Sequence, residues 1–363
     1  MSKITAFLRR KNVIFSAKRY GIDAMSAMAQ GLFCTLLVGT ILNTIGQQFG
    51  IGFLNATIVT VGKGEGATAY TIGGLASAMV GPAIALAIGY ALSAPPLVLF
   101  SLIPVGFAAN SMGGAGGPLA VYFIAIIAAE CGKLISKETK IDILLTPILT
   151  ILVGIGVAAL IAEPIGAGAN AMGQAIMWAT QQQPLLMGIL VAVLVGIALT
   201  LPISSAAICA SFGLVGLAGG AAVAGCCAQM VGFAVMSFRE NRWGGLVAQG
   251  IGTSMLQMPN IIKNPRIWIP PTLASAITGP LATCVFKLEM NGAAVNSGMG
   301  TCGFCGQIGV ITGWADKGYQ AGVMDWVGLV LICFVLPAVL SWAFSLVLRK
   351  WGWIKEGDLK LQL

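Results

Sequence analysis

About ten stretches of this chain are apolar enough, and long enough, to cross a bilayer, and almost no charge is left for any other surface. Only 9% of the 363 residues are Asp, Glu, Lys or Arg, and 57% are hydrophobic. A soluble domain carries roughly 25% charged residues. A chain with so little polar surface must use lipid as its solvent. In lipid every backbone polar group needs an internal partner, so the expected class is an all-α integral membrane protein. The few polar groups inside its apolar segments are then the best clues to function, because each is expensive to bury there.

The positive-inside rule orients the chain. Lys and Arg cluster in the N-terminal arm and at 133–140, 239–242, 263–266 and 349–360. All five clusters are expected on the cytoplasmic side of an inner or plasma membrane, with both termini inside. The number of crossings is then even. Ten spans satisfy this, near 22–45, 69–92, 96–111, 118–135, 141–162, 185–201, 203–219, 221–238, 267–288 and 326–348. The chain reads as one membrane domain over 1–363: a basic arm at 1–21, a transmembrane region at 22–348 and a tail at 349–363. No removable signal peptide is read in the arm. The net charge of +8 sits at membrane edges. It points to anionic lipid headgroups as partners, not to nucleic acid.

Three segments, 50–64, 163–183 and 291–316, are too polar to face lipid. Irregular backbone at membrane depth survives only inside protein or beside a watery cavity. They are read as re-entrant hairpins or broken helices, with ordinary extracellular loops as the alternative. The stretch 243–258 is too short to cross and return, and is expected along the inner surface, as is 11–20. An internal echo links Ala76-Ser77-Ala78-Met79-Val80-Gly81-Pro82 to Ala274-Ser275-Ala276-Ile277-Thr278-Gly279-Pro280, and Asn110-Ser111 to Asn296-Ser297. Paired repeats mark transporters, whose sites form where repeats meet. In a Gly/Ala-rich chain, chance is the rival explanation.

There is no histidine, so a mixed Cys/His zinc site is excluded and the usual near-neutral proton shuttle is missing. The nine cysteines lie mostly in apolar runs, as packing residues. Cys302 and Cys305 form a C-x-x-C without a second ligand pair, so no metal and no cofactor are expected. Glu130 and Asp142 border the 133–140 loop, where ion pairing is expected. Glu65 sits beside Lys63 and reads as a local pair at a loop tip. Glu163 and Glu289 each open a Gly/Asn segment: Glu163-Pro164-Ile165-Gly166-Ala167-Gly168-Ala169-Asn170, and Glu289-Met290-Asn291-Gly292-Ala293-Ala294-Val295-Asn296. A carboxylate accepts from hydroxyls, and Asn both donates and accepts. Glycines let the backbone approach a ligand. The candidate substrate-binding residues are therefore Glu163, Asn170, Asn110, Glu289, Asn291 and Asn296. A half-buried Glu with a raised pKa would also bind a coupling proton.

Four longer motifs carry a resemblance. They are Ala129-Glu130-Cys131-Gly132-Lys133-Leu134 with Lys140-Ile141-Asp142-Ile143-Leu144-Leu145-Thr146-Pro147; Ala198-Leu199-Thr200-Leu201-Pro202-Ile203-Ser204-Ser205-Ala206-Ala207; Gly225-Cys226-Cys227-Ala228-Gln229-Met230 running into Ser237-Phe238-Arg239-Glu240-Asn241; and Pro259-Asn260-Ile261-Ile262-Lys263-Asn264-Pro265-Arg266-Ile267-Trp268-Ile269-Pro270-Pro271. Through them the chain resembles the membrane component, enzyme IIC, of bacterial sugar phosphotransferase systems, in the branch of the PfoR-type regulators. The resemblance implies a ten-helix homodimeric transporter of elevator type. Glu163-Pro164 is the nearest match to the family's Glu-Pro pair in a re-entrant hairpin. The family's sugar-facing His has no counterpart.

The expected function is transport of a small polar solute, a sugar or sugar derivative, by alternating access. Separate phosphotransferase components are candidate partners, and the chain is not expected to be an enzyme by itself. The alternative is a membrane sensor that binds the solute and signals.

Overall fold

The structure is a computed structural model that describes residues 3–62 and 67–361. The expected Lys63–Glu65 pair lies outside the described residues. Helix makes up 79% of the structure, in keeping with the all-helical class. The chain forms two compact units. One holds Met1–Gly39 and Thr57–Gly168, the other Thr40–Ala56 and Ala169–Gln362.

The first unit contains α1 (Lys3–Arg10) and the first part of α2 (Arg19–Gln48). The strands β1 (Val59–Val61) and β2 (Thr68–Tyr70) pair as an antiparallel hairpin. Residues 51–62 are thus a helical turn, α3 (Gly52–Asn55), which belongs to the second unit, followed by the exposed strand β1, not a re-entrant helix. Next come α4 (Ile72–Ala78) and α5 (Val80–Ala91), which meet at a 51° bend. They are followed by α6 (Pro96–Gly113), α7 (Gly117–Ile135) and the start of α8 (Asp142–Thr180). Residues 96–135 form one continuous helical stretch with an apolar window. The chain reverses in it at Gly114, whose φ is +52°, a value that favours glycine. Gly132 near the end of α7 then packs on Val98 near the start of α6. Small residues set the helix crossings. A Cβ on Gly81 would stand 2.2 Å from the Gly106 carbonyl oxygen, so α5 and α6 touch backbone to backbone.

α8 departs furthest from expectation. It runs 39 residues without a break, about 58 Å at 1.5 Å per residue. Glu163, Pro164 and Asn170 therefore sit in regular helix, and no re-entrant hairpin forms at 163–183. Gly166 and Gly173 serve close packing, not a break, and Gly168 faces open space. Gly166 lies against the Gly113 carbonyl, where the α6–α7 turn presses on α8.

The second unit is built around α11 (Gly216–Met236), with α9 (Pro184–Thr200), α14 (Ile269–Pro280) and α16 (Val323–Lys350) packed on it. Nearly all of α11 is buried. Its glycines explain why: a Cβ on Gly225 would fall 1.9 Å from the Ala192 carbonyl oxygen of α9. Residues 203–219 do not form a span. They fold as the short α10 (Ser205–Ser211), capped by Ser204 Oγ, and a turn into α11. The segment 243–258 holds the second half of α12 (Phe238–Val247), a π turn and a 3-10 turn, with Gln249, Ser254 and Gln257 fully buried. Residues 252–258 are buried in the unit, whereas Trp243 and Val247 are exposed. α13 (Met258–Lys263) follows. Residues 294–304 are two buried 3-10 turns leading into α15 (Cys305–Asp316).

By length and apolarity alone, and among the described residues, five helical runs suit a crossing, with α6 and α7 counted as one run, or six when the bent α4–α5 pair counts as one span. These helices make the chain a multi-pass membrane protein.

Candidate functional site

Two of the expected site residues, Glu289 and Asn291, come together in the second unit. The cause is a local alternation. Met290 makes a two-bond antiparallel bridge with Gly216 at the start of α11: Gly216 N donates to Met290 O at 2.7 Å, and Met290 N to Gly216 O at 3.0 Å. In extended backbone, neighbours point to opposite sides and residues two apart share a side. Met290 is fully buried, so Glu289 and Asn291 face outward together.

Asn291 Nδ2 donates to Glu289 Oε2 at 2.8 Å, and Lys317 Nζ reaches the same oxygen at 3.0 Å. Tyr319 Oη donates to Asp325 Oδ2 at 3.0 Å, and Asp325 also accepts from Gly322 N. These groups line a cavity of about 430 Å³ with Lys287 and Trp314. Trp314 is held edge-on by Trp326, their ring centroids 5.3 Å apart. The size falls in the range of small-molecule sites. The hydrogen bond from Asn291, and then the Lys317 ammonium, hold the Glu289 carboxyl below its ordinary pKa. The expectation of a raised pKa at a half-buried Glu is therefore overturned at Glu289, because the group is exposed and paired with a cation.

The other candidates lie elsewhere. Asn296 is only 5% exposed, and its neighbour Ser297 donates to Leu214 O at 2.6 Å. Glu163 and Asn170 are exposed on α8, two helical turns apart. Asn110 is half-buried at the α6–α7 reversal, its side chain against the Gly117 backbone. Asn110 and Glu163 belong to the first unit; Asn170, Glu289, Asn291 and Asn296 belong to the second. Asp142 makes no ion pair in the 133–140 loop. Its carboxylate accepts from Lys137 N and Thr146 Oγ1 and fixes the start of α8. Glu130 does pair, with Lys133 Nζ at 2.8 Å, but the pair is buried rather than at a headgroup surface.

Sequence reasoning assigned no role to a buried polar cluster inside the second unit. Gln229 Oε1 accepts from Trp268 Nε1 at 3.0 Å, and Gln229 Nε2 donates to Thr272 Oγ1 at 3.2 Å. Thr200 and Ser254 hydroxyls meet at 2.8 Å. Below them, Gln249, Gln257 and Asn260 are linked amide to amide at 2.8 Å. The signal was present: Thr200, Gln229 and Asn260 each fall in one of the motifs that carry the resemblance. Their apolar surroundings hid the fact that three distant motifs meet.

The family description "Phosphotransferase system, EIIC" matches residues 22–361. The chain belongs to the phosphotransferase-system EIIC family. No curated protein and no solved structure matches the chain. Membership supports a membrane role related to sugar transport for this EIIC protein, and the family implies a sugar-type substrate. Among the described residues, no group of three or more Cys, Asp or Glu is placed to hold a metal ion.

Proposed function

We propose that this EIIC protein carries a polyhydroxylated solute, a sugar or sugar derivative, across the membrane by alternating access as a homodimer. The Glu289–Asn291 cavity is its solute-binding site. The observation that carries this reading is the lining of that one cavity by a carboxylate, a side-chain amide, ammonium groups and an indole. Vicinal hydroxyls donate to a carboxylate and exchange bonds with an amide, while the apolar face of a sugar ring packs on an aromatic ring. The cavity lies at the end of the second unit away from Arg349 and Arg266, because α14 and α16 each run between the two ends. By the positive-inside rule it opens outward, where uptake begins. Any phosphoryl transfer belongs to separate components.

The test is calorimetry of purified protein against sugars, polyols and their phosphates, followed by proteoliposome uptake. Asn291→Ala and Glu289→Ala should each weaken binding by about 1–3 kcal/mol, the range for a lost hydrogen bond to a charged or buried group. Unchanged affinity in both variants, for a solute that the wild type binds and transports, would remove the site from this cavity.

A further inference from the structure

At the opposite end of the second unit lies a groove of a different character. It is a cavity of about 390 Å³ between the end of α11, α12 and the last turns of α16. Its walls are apolar: Val235, Leu246, Leu346, Trp243 and Trp342. Phe238 meets Trp243 edge to face, centroids 5.3 Å apart, and makes one rigid aromatic wall. Trp243 and Trp342 are 72% and 50% exposed, which marks this as outer surface rather than core.

Two arginines line the same groove, Arg239 and Arg349. Arg349 is tied down. It reaches Glu240 Oε1 at 2.8 Å and the Met236 carbonyl oxygen at 3.4 Å. Arg239 is exposed and makes no hydrogen bond or ion pair among the described residues. The Glu240 carboxylate is neutralised by Arg349. The groove thus keeps an uncompensated guanidinium at its edge, with Arg242 three residues further along the chain, at a kink in α12 where its φ is +53°.

An apolar slot with a free cation at its rim, on a membrane protein, has the shape of a phospholipid. Acyl chains fill apolar grooves between helices. Guanidinium binds a phosphate with two parallel hydrogen bonds and is less strongly hydrated than an ammonium. Tryptophans settle at headgroup depth. Basic pockets between helices on the cytoplasmic side suit anionic headgroups. We propose that this groove binds an anionic phospholipid of the inner leaflet, with Arg239 on the headgroup phosphate and Trp243 and Trp342 flanking an acyl chain. The charge balance selects the occupant. A zwitterionic lipid has its phosphate already offset by its own ammonium, so it gains less from the free guanidinium.

The experiment is native mass spectrometry of detergent-purified full-length protein, titrated with phosphatidylglycerol or phosphatidylcholine. The wild type should retain phosphatidylglycerol in preference. Arg239→Gln should lower its affinity for phosphatidylglycerol about fivefold, the factor for removing about 1 kcal/mol per basic residue. Its affinity for phosphatidylcholine should not change. Because Arg239 holds no partner, the variant should keep the wild-type melting temperature in the absence of lipid. Trp342→Ala should weaken both lipids alike. Equal retention of the two lipids by the wild type would overturn the proposal. So would full retention of phosphatidylglycerol by Arg239→Gln. Displacement by water-soluble glycerol 3-phosphate as effectively as by lipid would show a phosphate site and no lipid site. A groove that takes no lipid, and is instead shielded in a dimer, would also refute it. None of these outcomes depends on whether the Glu289 cavity binds a sugar.

Discussion

Both units hold a chain terminus with side-chain donors on backbone carbonyls, but they use opposite chemistry. In the first unit the donors are cations. Lys133 Nζ reaches Asn12 O at 3.0 Å, Leu92 O at 3.1 Å and Glu130 Oε2 at 2.8 Å, with only 1% of its side chain exposed. Arg19 also bonds Leu92 O, and Lys11 bonds Ser136 O and Glu138. In the second unit the donors are neutral amides. Asn241 Nδ2 donates to Leu359 O, and Asn241 Oδ1 accepts from Leu361 N, both at 2.8 Å, so one side chain mimics a strand partner. Gln257, Asn260 and Asn264 take the carbonyls of Leu359, Lys360 and Trp353. The ionic arrangement concentrates its energy in one buried group. The amide arrangement spreads it over four. A buried charge that loses its partner is costly, whereas one amide among several is a modest loss.

The largest test of that difference is Lys133→Met. It leaves the buried Glu130 carboxylate without its cation and frees the Asn12 carbonyl, while Leu92 O keeps Arg19. We expect a loss of about 3–5 kcal/mol, the cost of breaking a buried pair. A thermal ramp of purified protein followed by circular dichroism of its helices reads it. Lys133→Met with Glu130→Gln should recover part of the loss. A single variant as stable as the wild type would mean that the ion pair contributes nothing to this unit.

The next test concerns what the units share. In the sequence echo, Gly81 and Gly279 each precede a proline. In the fold each is a backbone crossing: Gly81 on Gly106, and Gly279 on Gly188, where an added Cβ would come within 2.1 Å of the Gly188 carbonyl oxygen. Gly81→Ala and Gly279→Ala should therefore cost alike, about 1–3 kcal/mol each for forced overpacking. If one is tolerated and the other is not, the echo is a coincidence of composition. The Asn-Ser half of the echo already differs. Asn110 stands at a helix reversal, whereas Asn296 is packed in a buried turn.

The amide clamp predicts a smaller effect. Asn260→Ala should cost about 1 kcal/mol, the net worth of an ordinary hydrogen bond. Its partners Gln257 and Lys360 keep other contacts or reach solvent. A loss as large as that of Lys133→Met would erase the contrast between the two ends.

The membrane class and most of the helix positions were legible because apolar length is a strong local signal. The two helices in 96–135 were also legible, as separate apolar runs near 96–111 and 118–135. The continuity of α8 through 163–183 was not. Gly166, Gly168 and Asn170 look like breakers in isolation, and only the approach of Gly113 shows why a small residue is needed at Gly166. The break after Ser211 was likewise hidden, because 203–219 is as apolar as a true span. At the site, Glu289 and Asn291 were found from residue type. Lys317, Tyr319 and Asp325 were missed because they come from the loop after α15 and the first turn of α16, and no sequence spacing links those to 289.

The smallest expected effect is the most diagnostic for transport. In the folded protein the Glu289 carboxyl titrates below its ordinary value, because the charged form accepts from Asn291 and pairs with Lys317. A depressed pKa stabilises the fold above the ordinary carboxylate value of about 4.3, and that stabilisation is lost only as pH falls through the lower, folded value. The group is about half exposed, so solvent screens its contribution to stability. From about pH 5.5 to 8 the carboxylate then stays ionised and releases no proton. Glu289→Gln should therefore weaken solute binding while leaving the pH profile of uptake over that range unchanged in shape. Uptake by the wild type and the variant in proteoliposomes, across the same series of buffers, checks this. A profile that flattens in the variant would make Glu289 a proton carrier after all, and would require the Lys317 contact to break during the transport cycle.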